Sequence, residues 1–181
     1  MIVKLMANQI TIKNATLEIY VDELQNAKCD AIVIPSNSRL LPSGTLRCKV
    51  LKNAGVKVQI ECNQIINKVS TIPVGGAIIT SGGKLSSKNI IHANNSSRDN
   101  KSLMRATWNS LKLADKKGFK EIVFSPISKD LQGFSTKVCA NIMIPTIKKY
   151  ILEHNKNIKK IFVCLETLPD YKEFEKALDK P

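Results

Sequence analysis

The chain has 181 residues, 43% of them hydrophobic, and its 28 Lys+Arg against 15 Asp+Glu give a formal charge of +13. That is apolar material enough for one domain with its own core, without disulfides or metal, and it excludes intrinsic disorder. The apolar residues arrive in short bursts such as Ala31-Ile32-Val33-Ile34, far short of the about 18 in succession that a membrane span needs.

Taken in chain order, the apolar runs predict strands at Gln9–Ile12, Leu17–Tyr20, Ala31–Ile34, Ala77–Thr80, Asn89–Ala93, Glu121–Ser125 and Lys160–Leu165. Amphipathic stretches between them predict helices at Thr45–Asn53, Val56–Val69, Ser102–Lys117, Thr136–Asn155 and Asp170–Asp179. The third of these puts Leu103, Ala106, Ser110, Leu113 and Ala114 on one side and stops at Gly118. The fourth carries Pro145, and with it an expected kink. This alternation is that of an α/β domain with helices on both faces of a sheet.

The start, Met1–Asn8, has neither a sustained apolar core nor a cleavage site, so a single domain over 1–181, cytoplasmic and monomeric, is the expectation. Cys29, Cys48, Cys62, Cys139 and Cys164 are odd in number, widely spaced and form no C-x-x-C. They read as free thiols, and neither a metal nor another cofactor is expected. A basic surface gains affinity for phosphates by releasing counterions. Here, though, the cations are nearly all Lys, with Arg only at Arg39, Arg47, Arg98 and Arg105, and they are scattered along the sequence. Solubility or weak attraction to polyanions is therefore expected ahead of dedicated nucleic-acid recognition. His92 reads as a structural strand histidine, His154 as a helix-end residue and Trp108 as helix packing.

In open α/β sheets ligands bind beyond the carboxyl ends of the strands. Two strand-to-helix loops draw attention there: Pro35-Ser36-Asn37-Ser38-Arg39-Leu40-Leu41-Pro42-Ser43-Gly44-Thr45 and Pro126-Ile127-Ser128-Lys129-Asp130-Leu131-Gln132-Gly133-Phe134. Both run into a helix N-terminus, where backbone N–H groups suit an anion, although an ordinary turn and N-cap reads the same way.

At these loops the sequence resembles the macro domain, a family of ADP-ribose-binding and ADP-ribosyl-hydrolysing modules. The segments that carry the likeness are Cys29-Asp30-Ala31-Ile32-Val33 leading to Asn37-Ser38, Glu61-Cys62, Ile72-Pro73-Val74-Gly75-Gly76-Ala77 through Ser81-Gly82-Gly83-Lys84-Leu85, Asn89-Ile90-Ile91-His92, and Phe124-Ser125-Pro126 with Gly133-Phe134. Ile34-Pro35-Ser36-Asn37 is also similar to the macro domain of a histone variant. The resemblance implies a three-layer α/β/α sandwich with a mixed central sheet.

It also implies a site. Asp22 is the candidate for the adenine amino group, Glu23 being the alternative in an ungapped register. Asn37 takes the place of the residue that contacts the distal ribose. The family's glycine run falls on Pro42-Ser43-Gly44-Thr45 and leaves one Gly, with Ser43 and Gly44 the binding candidates there, and Ser128, Lys129, Asp130, Leu131, Gln132 and Gly133 take the place of the diphosphate loop. Phe134 is expected near the distal ribose, and Leu165 takes the aromatic position that packs on adenine. The Asp that hydrolytic members use to orient water falls on Arg47, and their His on Leu51. An Arg cannot act as a base but can pair with a phosphate, so Asn37 is the one candidate left for catalysis. The expectation is a module that binds ADP-ribose, free or attached to a macromolecule, without the usual hydrolase chemistry. The alternatives are a hydrolase with a diverged site, or a degenerate fold that binds RNA or other polyanions through its lysines.

Overall fold

The computed structural model describes residues 6–97, 99–127 and 134–181. Seven strands form one sheet: β1 Ala7–Ile12, β2 Ala15–Val21, β3 Ala31–Ser36, β4 Ala77–Ser81, β5 Asn89–Asn94, β6 Glu121–Phe124 and β7 Lys160–Leu165. Among the described residues five helices accompany them: α1 Thr45–Ala54, α2 Val56–Val69, α3 Asn100–Lys116, α4 Thr136–Glu153 and α5 Leu168–Leu178. A 3-10 turn, Leu24–Asn26, follows β2.

The sheet order is β1-β2-β7-β6-β3-β5-β4. The five inner strands run parallel, and β1 and β4 are antiparallel edges, which makes the sheet mixed. β3 lies between β6 and β5, and all six of its residues are buried, as a strand covered on both faces requires. β1 alternates exposed and half-buried residues, as an edge strand does. It joins β2 through a tight turn in which Lys13 adopts a left-handed φ of 51°.

Two apolar layers sandwich the sheet. On one face α3, α4 and α5 pack on Leu17, Ile19, Val33, Ile91, Phe124 and Val163. On the other, α1, α2 and the 3-10 turn pack on Ile32, Ile34, Ile90, Val123 and Cys164. Each fully buried aliphatic side chain contributes about 1.5–3 kcal/mol, and these two layers are the fold's main source of stability. The result is the three-layer α/β/α sandwich. α4 runs unbroken through Pro145, whose ring lies on the exposed side of the helix. Among the described residues no helix is long and apolar enough to cross a membrane.

Asp30 ties the amino ends of the strands together. Its Oδ2 accepts the backbone N–H of Lys120 and Glu121, at 2.8 and 3.1 Å, and its Oδ1 accepts Lys88 Nζ at 2.9 Å.

Candidate functional site

Five parallel strands end on the same side, and the segments that follow them meet there. A cleft at this end is lined by Leu24 after β2, Leu46 in the first turn of α1, Ser125 and Pro126 after β6, Cys164 and Glu166 at the end of β7, and Asp170 in α5. Its enclosed volume is about 40 Å³, and its walls are mostly apolar. Two carboxylates, Glu166 and Asp170, stand at one side. Asp170 Oδ1 accepts the hydroxyl of Thr136 at 2.7 Å, which locks the first turn of α4 onto α5.

Asp22 is not in this lining; it lines a separate groove of about 230 Å³ with Tyr20, Asn26, Lys28 and Phe162. Its backbone N–H donates to Leu165 O at 3.1 Å, and its carbonyl accepts the Cys164 thiol at 3.1 Å. Its Oδ1 accepts Glu23 N at 2.6 Å and Asn26 Nδ2 at 3.3 Å, the pattern of a residue capping a turn. Glu23 is committed elsewhere, bound to Lys49 Nζ at 2.8 Å.

The loop from Asn37 to Gly44 is held from within and from below. The Asn37 carboxamide oxygen accepts the N–H of Arg39 and of Leu41, at 3.1 and 3.0 Å, and its nitrogen donates to Leu41 O and Ser43 Oγ, both at 2.9 Å. Two donors and two lone pairs are the whole capacity of an amide, so Asn37 is saturated inside its own loop. The sequence assigns it to a ribose; the structure makes it the loop's organiser. Leu40 adopts a left-handed φ of 56° with its side chain fully buried, a conformation that a leucine keeps only when its surroundings impose it.

Arg47 supplies the support from below. Its side chain is fully buried: Nε donates to Leu41 O at 2.9 Å, Nη2 to Leu40 O at 2.8 Å, and Nη1 to Pro35 O at 3.4 Å. Nη1 also lies 2.9 Å from His92 Nδ1, and the Cys62 thiol lies against the same group. A guanidinium only donates, so His92 Nδ1 accepts and the ring proton sits on Nε2. That proton goes to Thr80 Oγ1 at 2.9 Å, and Thr80 donates onward to Ser81 O at 3.0 Å. Burial, and then the positive charge of Arg47, push the His92 imidazole well below its ordinary value. Arg47 thus meets carbonyls and a ring where the sequence places a phosphate.

Gly44, with φ 69°, precedes α1, and no side chain caps that helix, in contrast to α3, α4 and α5, capped by Asp99, Ser135 and Thr167. The first N–H groups of α1, beside Leu46, are directed toward the cleft end without a side-chain acceptor. Leu165 is fully buried in the core. Its neighbours Cys164 and Glu166 line the cleft instead, because successive strand residues face opposite sides. Burial pushes the Cys164 thiol up to about 12. Phe134 is half-buried. Ser128, Lys129, Asp130, Leu131, Gln132 and Gly133 lie outside the described residues.

Sequence reasoning passed over Leu24, Leu46, Ser125, Pro126, Cys164, Glu166 and Asp170. The signal that points to Ser125 and Glu166 is their place one residue beyond a parallel strand.

The family model for the macro domain matches residues 33–143. An O-acetyl-ADP-ribose deacetylase of Escherichia fergusonii is 30% identical over 143 residues, 76% of this chain and 81% of its own length. A histone macroH2A1.1 of Capsaspora owczarzaki is 30% identical over 83% of this chain and 42% of its own. The solved structure of an Oceanobacillus iheyensis macrodomain with ADP superposes with a TM-score of 0.89 at 27% identity, covering 96% of this chain and 95% of that one. The chain belongs to the macro domain family.

Proposed function

We infer that this macro domain binds ADP-ribose, free or attached to a macromolecule, across the carboxyl ends of β2, β7, β6 and β3. The adenine docks over the shallow cleft of Leu24, Leu46 and Cys164, with its amino group toward Asp22, the acid that the family resemblance assigns to it. The diphosphate lies over the uncapped start of α1, where backbone amides meet negative charge. Kinship with a macrodomain whose structure holds ADP supports this reading.

The protein binds rather than hydrolyses. The observation that carries this is Arg47: at the position where hydrolytic members hold a water-orienting carboxylate stands a buried guanidinium, spent on Pro35, Leu40, Leu41 and His92. It neither accepts a proton nor reaches solvent. Asn37, saturated within its loop, is equally unavailable to hold water. The kinship with an O-acetyl-ADP-ribose deacetylase favours a second reading, in which a diverged site still releases acetate.

Two measurements separate them. Isothermal titration with ADP-ribose yields saturable heat under the binding reading, and a folded protein that gives none at millimolar ligand overturns it. Incubation with O-acetyl-ADP-ribose and with an ADP-ribosylated protein leaves both intact if binding is the whole function; turnover with either selects the enzymatic reading.

A further inference from the structure

The opposite end of the molecule carries a second feature, independent of the ADP-ribose cleft. Trp108 projects from α3 between two grooves against α4. One groove, of about 400 Å³, is lined by Trp108, Lys112, Lys116, His154, Lys156 and Asn157 over a floor of Asp115 and Tyr150. The other, of about 240 Å³, is lined by Met104, Arg105, Trp108, Thr146 and Lys149. The half-buried indole is the wall between them.

The aromatic part is rigid. The indole meets the Tyr150 ring edge-on at 5.0 Å and 81°, and the His154 ring at 4.9 Å and 77°. Tyr150 in turn donates its hydroxyl to Asp115 Oδ2 at 3.0 Å. Asp115 is the acid of this groove, and it is consumed: it also accepts Lys156 N at 3.1 Å and Asn157 N at 2.7 Å. Glu153 stands 3.7 Å from His154 Nε2.

The lysines are left over. Lys112, Lys116, Lys149 and Lys156 are all exposed, and among the described residues none of them is in an ion pair. Arg105, also exposed, spends part of its field on Asp99. From Arg105 to Lys116 the helix rises about 16 Å, so the cations follow a track with the aromatic wall in its middle. Unpaired cations spaced along a groove, around a fixed aromatic surface, match an anionic chain with flat apolar faces between its charges. An acidic peptide offers the charge without regularly spaced flat faces, and an anionic bilayer offers a charged plane, not a chain that follows the groove.

We propose that the α3–α4 groove around Trp108 binds single-stranded nucleic acid, with bases packing on the indole and phosphates on Lys112, Lys116, Lys149 and Lys156. It lies where α3 ends before β6 and where β7 begins, away from the carboxyl-end cleft, and the two sites act independently.

Trp108 is the only tryptophan of the chain, so its emission reports the groove directly. The full chain is titrated with oligo(A) and oligo(dT) of about 12 nucleotides. Saturable quenching is expected with one or both, along with an affinity that falls steeply as salt rises. Lys112→Glu/Lys116→Glu changes two exposed side chains and is expected to weaken oligonucleotide binding at least ten-fold, leaving the melting temperature and the ADP-ribose titration unchanged. Trp108→Phe, read by anisotropy of a labelled oligonucleotide, is expected to weaken binding by a smaller factor. The proposal is overturned by absence of quenching at low salt, by affinity that survives the double charge reversal, or by equally tight binding of polyglutamate, anionic vesicles or blunt duplex. The ADP-ribose titration stands apart from all of these outcomes, so failure of one site is distinguishable from failure of the other.

Discussion

Nη1 of Arg47 lies 2.9 Å from Nδ1 of His92, which sets a fully buried guanidinium against an uncharged imidazole, with carbonyls, not a carboxylate, completing its shell. A buried charge without a counter-ion persists only where many oriented dipoles converge on it. Here Pro35, Leu40 and Leu41 supply them, and in return the cation fixes the left-handed turn at Leu40 that shapes the loop above.

Arg47→Met removes the donor and leaves those carbonyls and His92 unpartnered, at a cost of about 3 kcal/mol. For a chain of this length the melting temperature is expected to drop by about 6–12 °C. Arg47→Asp, which restores the carboxylate of hydrolytic relatives, places an anion among the same carbonyls and is expected to destabilise more without creating turnover. Scanning calorimetry beside a deacetylation assay checks both.

His92 gives stability a pH dependence. Its folded value lies well below the ordinary one, so its contribution is complete above pH ~6.5 and declines as pH falls below that, because the unfolded chain takes up a proton the folded chain refuses. The slope attributable to this group is at most about 1.4 kcal/mol per pH unit. Urea titrations of the natural chain and of His92→Gln, at neutral and mildly acidic pH, are expected to differ by that slope, and parallel curves would contradict it.

Asp22 sets base specificity in the proposed site. A carboxylate oxygen accepts from the adenine amino group and repels the guanine carbonyl. ADP-ribose is therefore expected to bind and its guanine counterpart to bind at least ten-fold more weakly, while Asp22→Ala lowers ADP-ribose affinity by about ten-fold or more. Competition titrations measure both.

The thiols differ sharply in access. Cys48 is exposed and the other four are buried, with burial pushing Cys29 up to about 11 and Cys164 to about 12. Iodoacetamide at neutral pH is expected to alkylate Cys48 alone in the native protein and all five in denaturant, as peptide mass mapping shows.

Gly83 has φ +58°, and a Cβ there would lie 2.2 Å from Ala54 O, the acceptor of Lys84 N at 2.9 Å. Gly83→Ala is expected to cost about 2–4 kcal/mol and to loosen the junction of α1 with the β4–β5 segment, seen as lost amide protection at Lys84.

The residues themselves determined the elements and their alternation. Ala31–Ile34 and Lys160–Leu165 are apolar runs bounded by turn formers, and Val56–Val69 sits between Gly55 and Ser70, so period and punctuation suffice to place them. The pattern also directs attention to the parallel strands' carboxyl ends, where the candidate cleft lies, and the family likeness follows from the order of the loop motifs. Which side chains face the cleft did not follow. Leu165 turns into one apolar layer and Cys164 into the other, beside the cleft, because strand parity is fixed by pairing with β2 and β6. Arg47 points beneath its loop because His92 waits there from a strand 45 residues away. The lysines, scattered in sequence, gather around Trp108 only when α3 and the segment before β7 come together over Asp115. Local periodicity encodes how a segment folds, whereas the company a side chain keeps is set by packing between segments, which the sequence specifies only through the whole.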